Sequence, residues 1–355
     1  MTVDLEFLRD LLTAPGPSGF EEPVQEVVRR YVAAHGPATD VVGNVTAEVN
    51  PQGSPQVVVT GHADQIGLQV TYIDDDGFVF FDKVGSIAPL LLPGRTVVIQ
   101  GPRGPVRGVV GKKPTHLIAD ADRAAAPPLH EQWIDVGAAG RNAAEERVAL
   151  GDPVTFEANF LELAPGVVAS QALDNRTGVY VAFRSLALYA ERPGAARLTA
   201  LSTVQEETRF LGAMVQARRL QPEVMIVVDG DFATDQPEVD ARQAGGELRC
   251  GAGPCLARGG ATNPRLFALA AEVAAAEGIP VQVKAYPGET ATDNDVLQAA
   301  GLGTAALNIG VPIRYMHSPS EVCDASDLET SAHLVAALAR RLGEVTEPDF
   351  FIPRA

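Results

Sequence analysis

Two adjacent carboxylates stand at the end of a β-prone run in the middle of the chain, where Glu206 and Glu207 follow residues 198–205. In an extended chain successive side chains point to opposite faces, so we expect the two carboxylates to have different tasks. One can bind a metal ion while the other takes a proton from water, as a hydrolytic metal site requires. The alternative is a pair of solvated surface glutamates, because most charged side chains lie on protein surfaces.

Further potential metal ligands stand close to the ends of other predicted elements. His62 and Asp229 each follow a short apolar run, and His317 follows a third run across a loop. Asp174 opens a predicted helix. Ligands of open α/β sheets bind outside the carboxyl ends of the strands, so these side chains could converge on one crevice.

The chemistry of this set indicates a particular class of ion. Nitrogen and oxygen ligands without cysteine suit Zn²⁺, Co²⁺ or Mn²⁺ rather than a structural thiolate zinc. Asp64, two residues after His62, could accept the free imidazole N–H and fix its tautomer. Each residue also has a purely structural interpretation: a hydrogen-bonded loop residue for His62, a helix N-cap for Asp174 and a turn residue for Asp229. Spacing alone leaves both interpretations open.

The alternation of predicted strands and helices indicates an α/β fold. Apolar runs predict five strands, at 57–60, 198–205, 224–228, 281–285 and 304–309. Such alternation implies a mixed, mostly parallel sheet with helices on both faces. The last helix is predicted to begin at a capping box formed by Ser326 and Glu329.

Residues 68–160 differ in pattern from both flanks. Short β-prone runs alternate there with Gly, Pro and Asp turns, and only 143–148 could form a short helix. We interpret this segment as a small inserted β-barrel or β-sandwich domain. The predicted main domain therefore consists of residues 1–67 and 161–355, with the β-rich insert at 68–160 between them.

The composition is that of a globular chain with a strong negative charge. Hydrophobic residues make up 46% of the 355 residues, and the formal net charge is −17. Nucleic acids and anionic membranes bind basic patches, so we expect neither as a partner. We see no signal-peptide pattern and no apolar run of roughly 18 residues, the length of a membrane span. Three cysteines indicate no disulfide framework, and we expect a cytoplasmic protein.

Five motifs occur together in one order and spacing: Gly61-His62-Ala63-Asp64-Gln65-Ile66-Gly67, Lys113-Pro114-Thr115-His116, Ala172-Leu173-Asp174-Asn175-Arg176, Val204-Gln205-Glu206-Glu207 and Arg314-Tyr315-Met316-His317-Ser318-Pro319-Ser320-Glu321. In these motifs the chain resembles the tetrahedral (TET) aminopeptidases, a family of dinuclear metallo-aminopeptidases that includes glutamyl aminopeptidases and relatives labelled as cellulases. The resemblance extends over about residues 15–342. It implies a zinc-aminopeptidase-like fold.

The resemblance also implies a ligand set for two divalent metal ions, Zn²⁺ or Co²⁺ and alternatively Mn²⁺. Asp174 would bridge the two ions. His62 and Asp229 would complete one site, and Glu207 and His317 would complete the other.

The remaining implied roles concern catalysis and assembly. Glu206 would be the general base, and Asp64 would orient the histidine ligand. The insert at 68–160 would be a dimerisation domain, and the dimers would form a hollow tetrahedral dodecamer that admits short peptides. The loops 208–211 and 289–295 depart from the usual family sequence, so the substrate preference does not follow from the resemblance.

The resulting prediction is a dinuclear metal-dependent aminopeptidase that removes N-terminal residues from short peptides. A metal-dependent N-acyl amino acid deacylase or amidohydrolase on the same scaffold is the first alternative. A glycosidase is the second, although adjacent glutamates do not obviously give the separation of about 5–9.5 Å that its carboxylates need. An inactive binding or assembly protein is the third, and the presence of every implied ligand and of the base disfavours it.

Overall fold

The chain begins with two amphipathic helices followed by three strands of the main sheet. The structure, a computed structural model, describes residues 2–118, 126–301, 303–347 and 349–352. Its first elements are α1 (Leu5–Thr13), α2 (Glu22–Tyr31), β1 (Ala38–Thr39), β2 (Val45–Val49) and β3 (Gln56–His62). Most apolar side chains that recur at helical spacing in α1 and α2 are buried, whereas Leu5 at the start of α1 is exposed.

A closed six-stranded barrel follows β3. Its elements in chain order are β4 (Gly67–Ile73), β5 (Val79–Val84), β6 (Thr96–Gly101), β7 (Gly104–Lys112), β8 (Gln132–Asp135), α3 (Arg141–Glu145) and β9 (Pro153–Phe156). The strands close in the order β4-β5-β8-β7-β6-β9, and their inward side chains form a core of their own. The barrel thus buries its apolar surface without the main sheet, as an independent small domain does.

The chain then returns to the main domain. The remaining elements are β10 (Phe160–Ala164), β11 (Val167–Ser170), α4 (Leu173–Glu191), β12 (Arg197–Thr203), α5 (Glu206–Arg209), α6 (Leu211–Arg219), β13 (Val224–Phe232), β14 (Cys255–Gly259), α7 (Pro264–Glu277), β15 (Gln282–Tyr286), α8 (Asn294–Leu297), β16 (Ala305–Ile313), β17 (Glu321–Asp324) and α9 (Ala325–Leu342). Strands β10, β11 and β17 form a small separate sheet. Within the described ranges, every helix is too short or too polar to cross a membrane.

Four parallel strands form the centre of the main sheet. The eight strands lie in the order β1-β2-β12-β3-β13-β16-β14-β15, and β12, β3, β13 and β16 run parallel to one another. Strands β2 and β14 pair with this centre in antiparallel orientation. Thr203 lies beside His62, so the carboxyl ends of β12 and β3 meet at one edge. The predicted mixed, mostly parallel α/β sheet with an inserted barrel is confirmed.

The two faces of the sheet bury separate sets of side chains. On β3, Val57 and Val59 pack into the larger core cluster with the helices of one face. Val58 packs on the opposite face, in a smaller cluster with Ala213 of α6 and Leu297 of α8. Alternate residues of a strand point to opposite faces, so the apolar run of β3 reflects burial on both sides.

The capping box predicted at Ser326 and Glu329 is wrong. The N-cap of α9 is Asp324, whose side chain accepts the N–H of Ser326. Glu329 is buried, and its carboxylate accepts hydrogen bonds from Tyr180 Oη at 3.0 Å and Arg184 Nη2 at 2.8 Å. The glutamate therefore connects α9 to α4, because a buried carboxylate needs charged and polar partners.

Candidate metal centre

One group of three potential ligands forms where β3, β13 and α4 meet. His62 Nε2 lies 3.4 Å from Asp174 Oδ1 and 3.7 Å from Asp229 Oδ1. All three side chains are buried, and each offers a ligand atom within 4.8 Å of the other two. Atoms that bind one ion at about 2 Å must lie this close together. Asp229 was predicted to follow its strand, but β13 continues to Phe232 because it stays paired with β16.

A second group shares Asp174 with the first. His317 Nε2 lies 3.2 Å from Asp174 Oδ2 and 3.8 Å from Glu207 Oε2, and the three ligand atoms again lie within 4.8 Å of one another. The two carboxylate oxygens of Asp174 thus face different histidines, Oδ1 toward His62 and Oδ2 toward His317. Asp174 has a non-helical backbone, and the side chain that caps the helical turns after it is that of Asn175, whose Oδ1 accepts the N–H of Gly178 at 2.9 Å. The structural interpretation of Asp174 as a cap is therefore wrong.

The acidic pair lies on a helical turn. Gln205 has a φ of 56°, and the short helix α5 begins at Glu206. The expectation of an extended chain at Glu206 and Glu207 is therefore wrong. The two side chains still face different partners, because successive residues of a helix differ by about 100° in direction. Glu207 Oε2 lies near His317, whereas Glu206 Oε2 lies 3.7 Å from His62 Nε2.

Asp64 connects the first histidine to the acidic turn. Its Oδ1 lies 3.4 Å from His62 Nδ1 and accepts the backbone N–H of Glu206 at 3.0 Å. Its Oδ2 accepts the backbone N–H of Glu207 at 3.0 Å and also the hydroxyl of Ser18. Burial alone would raise the pKa of Asp64, but the hydrogen bonds from His62 and Ser18 lower it below its usual range.

Three other carboxylates of the centre, those of Glu206, Glu207 and Asp229, have raised pKa values. At Asp174, by contrast, burial is outweighed by hydrogen bonds from His317 and His62, which lower its pKa. Burial and the facing charge of Asp174 raise the pKa of Glu207 and of Asp229 well above the usual range. Burial and the charges of Asp293 and Glu207 raise the pKa of Glu206 to about 9. A crevice in which buried carboxylates oppose one another so strongly requires positive charge if they are to be ionised together.

A buried carboxylate oxygen without a partner among the described residues is a second observation that fits bound divalent cations. Oxygen Oε1 of Glu207 is buried and has no hydrogen-bond partner among the residues that the structure describes. A buried carboxylate oxygen without a partner is unfavourable, and such an atom in a native structure calls for an unseen ion or water. Imidazole and carboxylate groups are ligands that Zn²⁺, Co²⁺ and Mn²⁺ share.

Comparison with known proteins assigns the chain to a family. Residues 43–334 match the family described as M42 glutamyl aminopeptidase. The chain belongs to the M42 family. It is 34% identical over 345 residues to the lysyl aminopeptidase of Pyrococcus furiosus, and the alignment covers 96% of this chain and 98% of that protein. As a member of this family of aminopeptidases it is a peptide hydrolase.

Solved structures support the same assignment for this M42 chain. The TET aminopeptidase of a marine sediment archaeon of the Thaumarchaeota superposes with a TM-score of 0.90 at 28% identity, covering 95% of this chain and 96% of that one. The TET1 peptidase of Pyrococcus horikoshii, described as able to assemble into a tetrahedron or a large octahedral shell, has a TM-score of 0.84 at 29% identity, covering 94% and 98%. The resemblance noted in the sequence motifs is confirmed.

Glu321 adjoins both ligand groups, and the sequence analysis gave it no role. Its Oε2 accepts the backbone N–H of Asp174 at 3.0 Å, and its Oε1 accepts the backbone N–H of His317 at 2.8 Å. Burial and the charge of Asp174 raise the pKa of Glu321 well above its usual range. Its place four residues after His317 in one motif was the available signal.

Asp293 is a second residue that the sequence analysis missed. It is buried, and its Oδ2 accepts a hydrogen bond from the hydroxyl of Thr203 at 2.5 Å. Burial is the main cause that raises the pKa of Asp293 to about 6. Asp293 lies in the loop 289–295, so this departure from the family sequence adjoins the centre directly.

Proposed function

We propose that the chain is a dinuclear metal-dependent aminopeptidase that removes N-terminal residues from short peptides. The observation that carries the proposal is the sharing of Asp174 by two ligand groups in one crevice, each made of one histidine and two carboxylates. His62, Asp174 and Asp229 would hold one ion, and Asp174, Glu207 and His317 would hold the other. When bound, two such ions supply positive charge that polarises a peptide carbonyl and makes water more acidic.

Glu206 is the proposed general base. It contributes no atom to either ligand group, yet its Oε2 lies 3.7 Å from the histidine of the first group. From this position its carboxylate takes a proton from the attacking water and returns it to the nitrogen of the leaving amine. The backbone N–H of Glu206 is held by Asp64, so the base is fixed relative to His62.

The test is a panel of aminoacyl-anilides with free and acetylated amino groups, assayed on chelated protein that is refilled with Zn²⁺, Co²⁺ or Mn²⁺. We expect metal-dependent hydrolysis of the free anilides only. Release of acetate from the acetylated compounds, with the anilide bond left intact, would instead favour the deacylase. Full activity after chelation, with no transition metal found by elemental analysis, would exclude the metal mechanism.

We further propose that the chain forms a homo-oligomer, a tetrahedral dodecamer of dimers that pair through the barrel. The barrel supports this role because it has a separate core and stands beside the main domain rather than completing it. Short peptides would be its substrates. We infer a cytoplasmic location from the free cysteines Cys250, Cys255 and Cys323 together with the absence of any disulfide among the described residues.

A further inference from the structure

A buried ion pair forms one wall of the cavity into which the metal centre opens. The cavity has a volume of about 400 Å³, and Lys284, Asp231 and Tyr286 are among its lining residues. Lys284 Nζ donates to Asp231 Oδ1 at 2.6 Å, and Tyr286 Oη donates to Asp231 Oδ2 at 2.6 Å. Both oxygens of Asp231 are therefore occupied by short hydrogen bonds. Neither the ligand groups nor the proposed base uses these residues.

Packing holds this pair in place. Lys284 is 7% exposed and Asp231 is 4% exposed, so solvent screens their charges little. Gly310 packs against the other side of Asp231, and a Cβ added there would meet Asp231 Cβ at 2.8 Å. A side chain at position 310 would therefore displace the aspartate from this pair. The two opposite charges cancel within the wall.

The other groups of this wall present no free charge either. Thr290 and Thr292 share a hydrogen bond between their hydroxyls at 2.9 Å, and Phe232 and Met316 contribute apolar surface. Arg209 is the other cation that lines the cavity, but it is exposed to solvent, where screening weakens its charge. The buried part of the wall is therefore electrically neutral.

The position of the pair relative to the metal centre indicates what it would contact. Asp231 is two residues from Asp229 on β13, and residues i and i+2 of a strand share a face about 6.6 Å apart. In an aminopeptidase the carbonyl of the first residue must lie at the metal centre. A site about one side-chain length away then receives the side chain of that first residue.

We propose that the Lys284–Asp231 pair makes this subsite select a neutral first residue, with leucine, methionine or phenylalanine preferred over glutamate, aspartate, lysine or arginine. The inference rests on the proposed aminopeptidase function. An acidic side chain meets a lysine whose charge is already compensated, and a basic side chain meets an aspartate whose two oxygens are already bound. Either charged residue would lose its water without gaining a partner, so it is rejected.

The test measures kcat/KM of metal-loaded protein on leucine, glutamate and lysine anilides, with Ki values for the three free amino acids as a second readout. For wild-type protein, kcat/KM should be about tenfold or more higher for the leucine anilide, and Ki should be lower for free leucine by a similar factor. Asp231→Asn leaves Lys284 without a counter-charge and should move the preference toward glutamate. Lys284→Met leaves Asp231 with Tyr286 alone and should move it toward lysine. The double variant should again prefer leucine, because the two opposite changes of charge cancel, and this return identifies the charge balance of the pair as the cause.

Glu26→Gln is the matched control, because Glu26 pairs with Arg29 on the exposed side of α2 and does not line the cavity. It should keep the wild-type preference.

A wild-type preference for glutamate or lysine would overturn the inference even if no variant folds. Variants that lose activity on all three substrates by one factor would also overturn it. A change in preference at the second residue of dipeptides, rather than the first, would do the same. Absence of any anilide hydrolysis by wild-type protein would instead contradict the proposed function.

Discussion

The carboxylate of Asp64 accepts the backbone N–H of Glu206 at 3.0 Å while it contacts the imidazole of His62 at 3.4 Å. One buried residue therefore contacts both a proposed ligand, whose Nδ1 also lies 3.2 Å from the backbone carbonyl of Asp64, and the turn that carries the proposed base. The adjacent N–H of Glu207 donates to the other oxygen, so a single carboxylate accepts two hydrogen bonds at the start of α5. The relative placement of ligand and base depends on Asp64.

Asp64→Ala should weaken metal binding and turnover together. We expect metal affinity to fall by about 10–100-fold, the usual effect of removing a partner that orients a ligand histidine. Metal content after dialysis against a graded chelator buffer is the measurement. Asp40→Ala is the control, because Asp40 also accepts several backbone N–H groups, those of Val42, Gly43 and Asn44, without contacting a ligand. Equal loss of metal in both variants would show a general effect of destabilisation.

Glu21 should make the stability of the protein depend on pH. Its Oε1 accepts the backbone N–H groups of Gly19 and Gln205, and burial with the charge of Asp64 raises its pKa from 4.5 to about 7. The native state therefore holds this proton more tightly than the unfolded chain. The contribution to the free energy of unfolding is fully present below pH 4.5 and is lost as the pH rises through 7, a change of up to about 3 kcal/mol.

Glu21→Gln keeps an oxygen acceptor but does not titrate. Urea unfolding between pH 4 and 8 should show the variant gaining stability over wild type as the pH rises. Glu22→Gln, at a neighbouring exposed position paired with Arg29, should follow the wild-type curve. Curves of wild type and Glu21→Gln that stay parallel over this range would contradict the assignment.

The assembly proposal predicts a particle mass. Twelve chains of 37.3 kDa would weigh about 450 kDa in a closed symmetric particle. Light scattering of the intact protein should give this mass, and removal of residues 68–160 should leave smaller species. A mass of one chain at every concentration would rule the assembly out.

Much of the site could be predicted because strand ends are visible in sequence. Apolar runs mark where β3 and β13 lie, and parallel strands bring their carboxyl ends to one edge, so His62 and Asp229 were expected to meet. The structure also brings Asp174, Glu207 and His317 into this crevice, as the resemblance implied.

Other features depend on tertiary contacts that no local pattern reveals. The turn at Glu206 follows from the left-handed backbone of Gln205 and from N–H acceptors on Asp64, which lies 142 positions away. Lys284 and Asp231 are 53 positions apart, and the successive pairing of β13 with β16, β16 with β14 and β14 with β15 brings them together. The reverse error occurred at Ser326 and Glu329, where a local motif predicted a capping box that the structure does not form. Glu329 instead binds Arg184 of α4, a partner distant in sequence.

The most direct test of the dinuclear mechanism compares the metal content and turnover of Glu206→Gln and Glu207→Gln, each of which keeps the size of its side chain. Glu206→Gln should retain about two ions per chain and lose about 10²–10⁴-fold in kcat, because only the proton transfer is removed. Glu207→Gln should lose one ion as well as activity, because its carboxylate faces His317 and Asp174 in the second ligand group. Loss of metal from Glu206→Gln together with full metal content in Glu207→Gln would contradict the account.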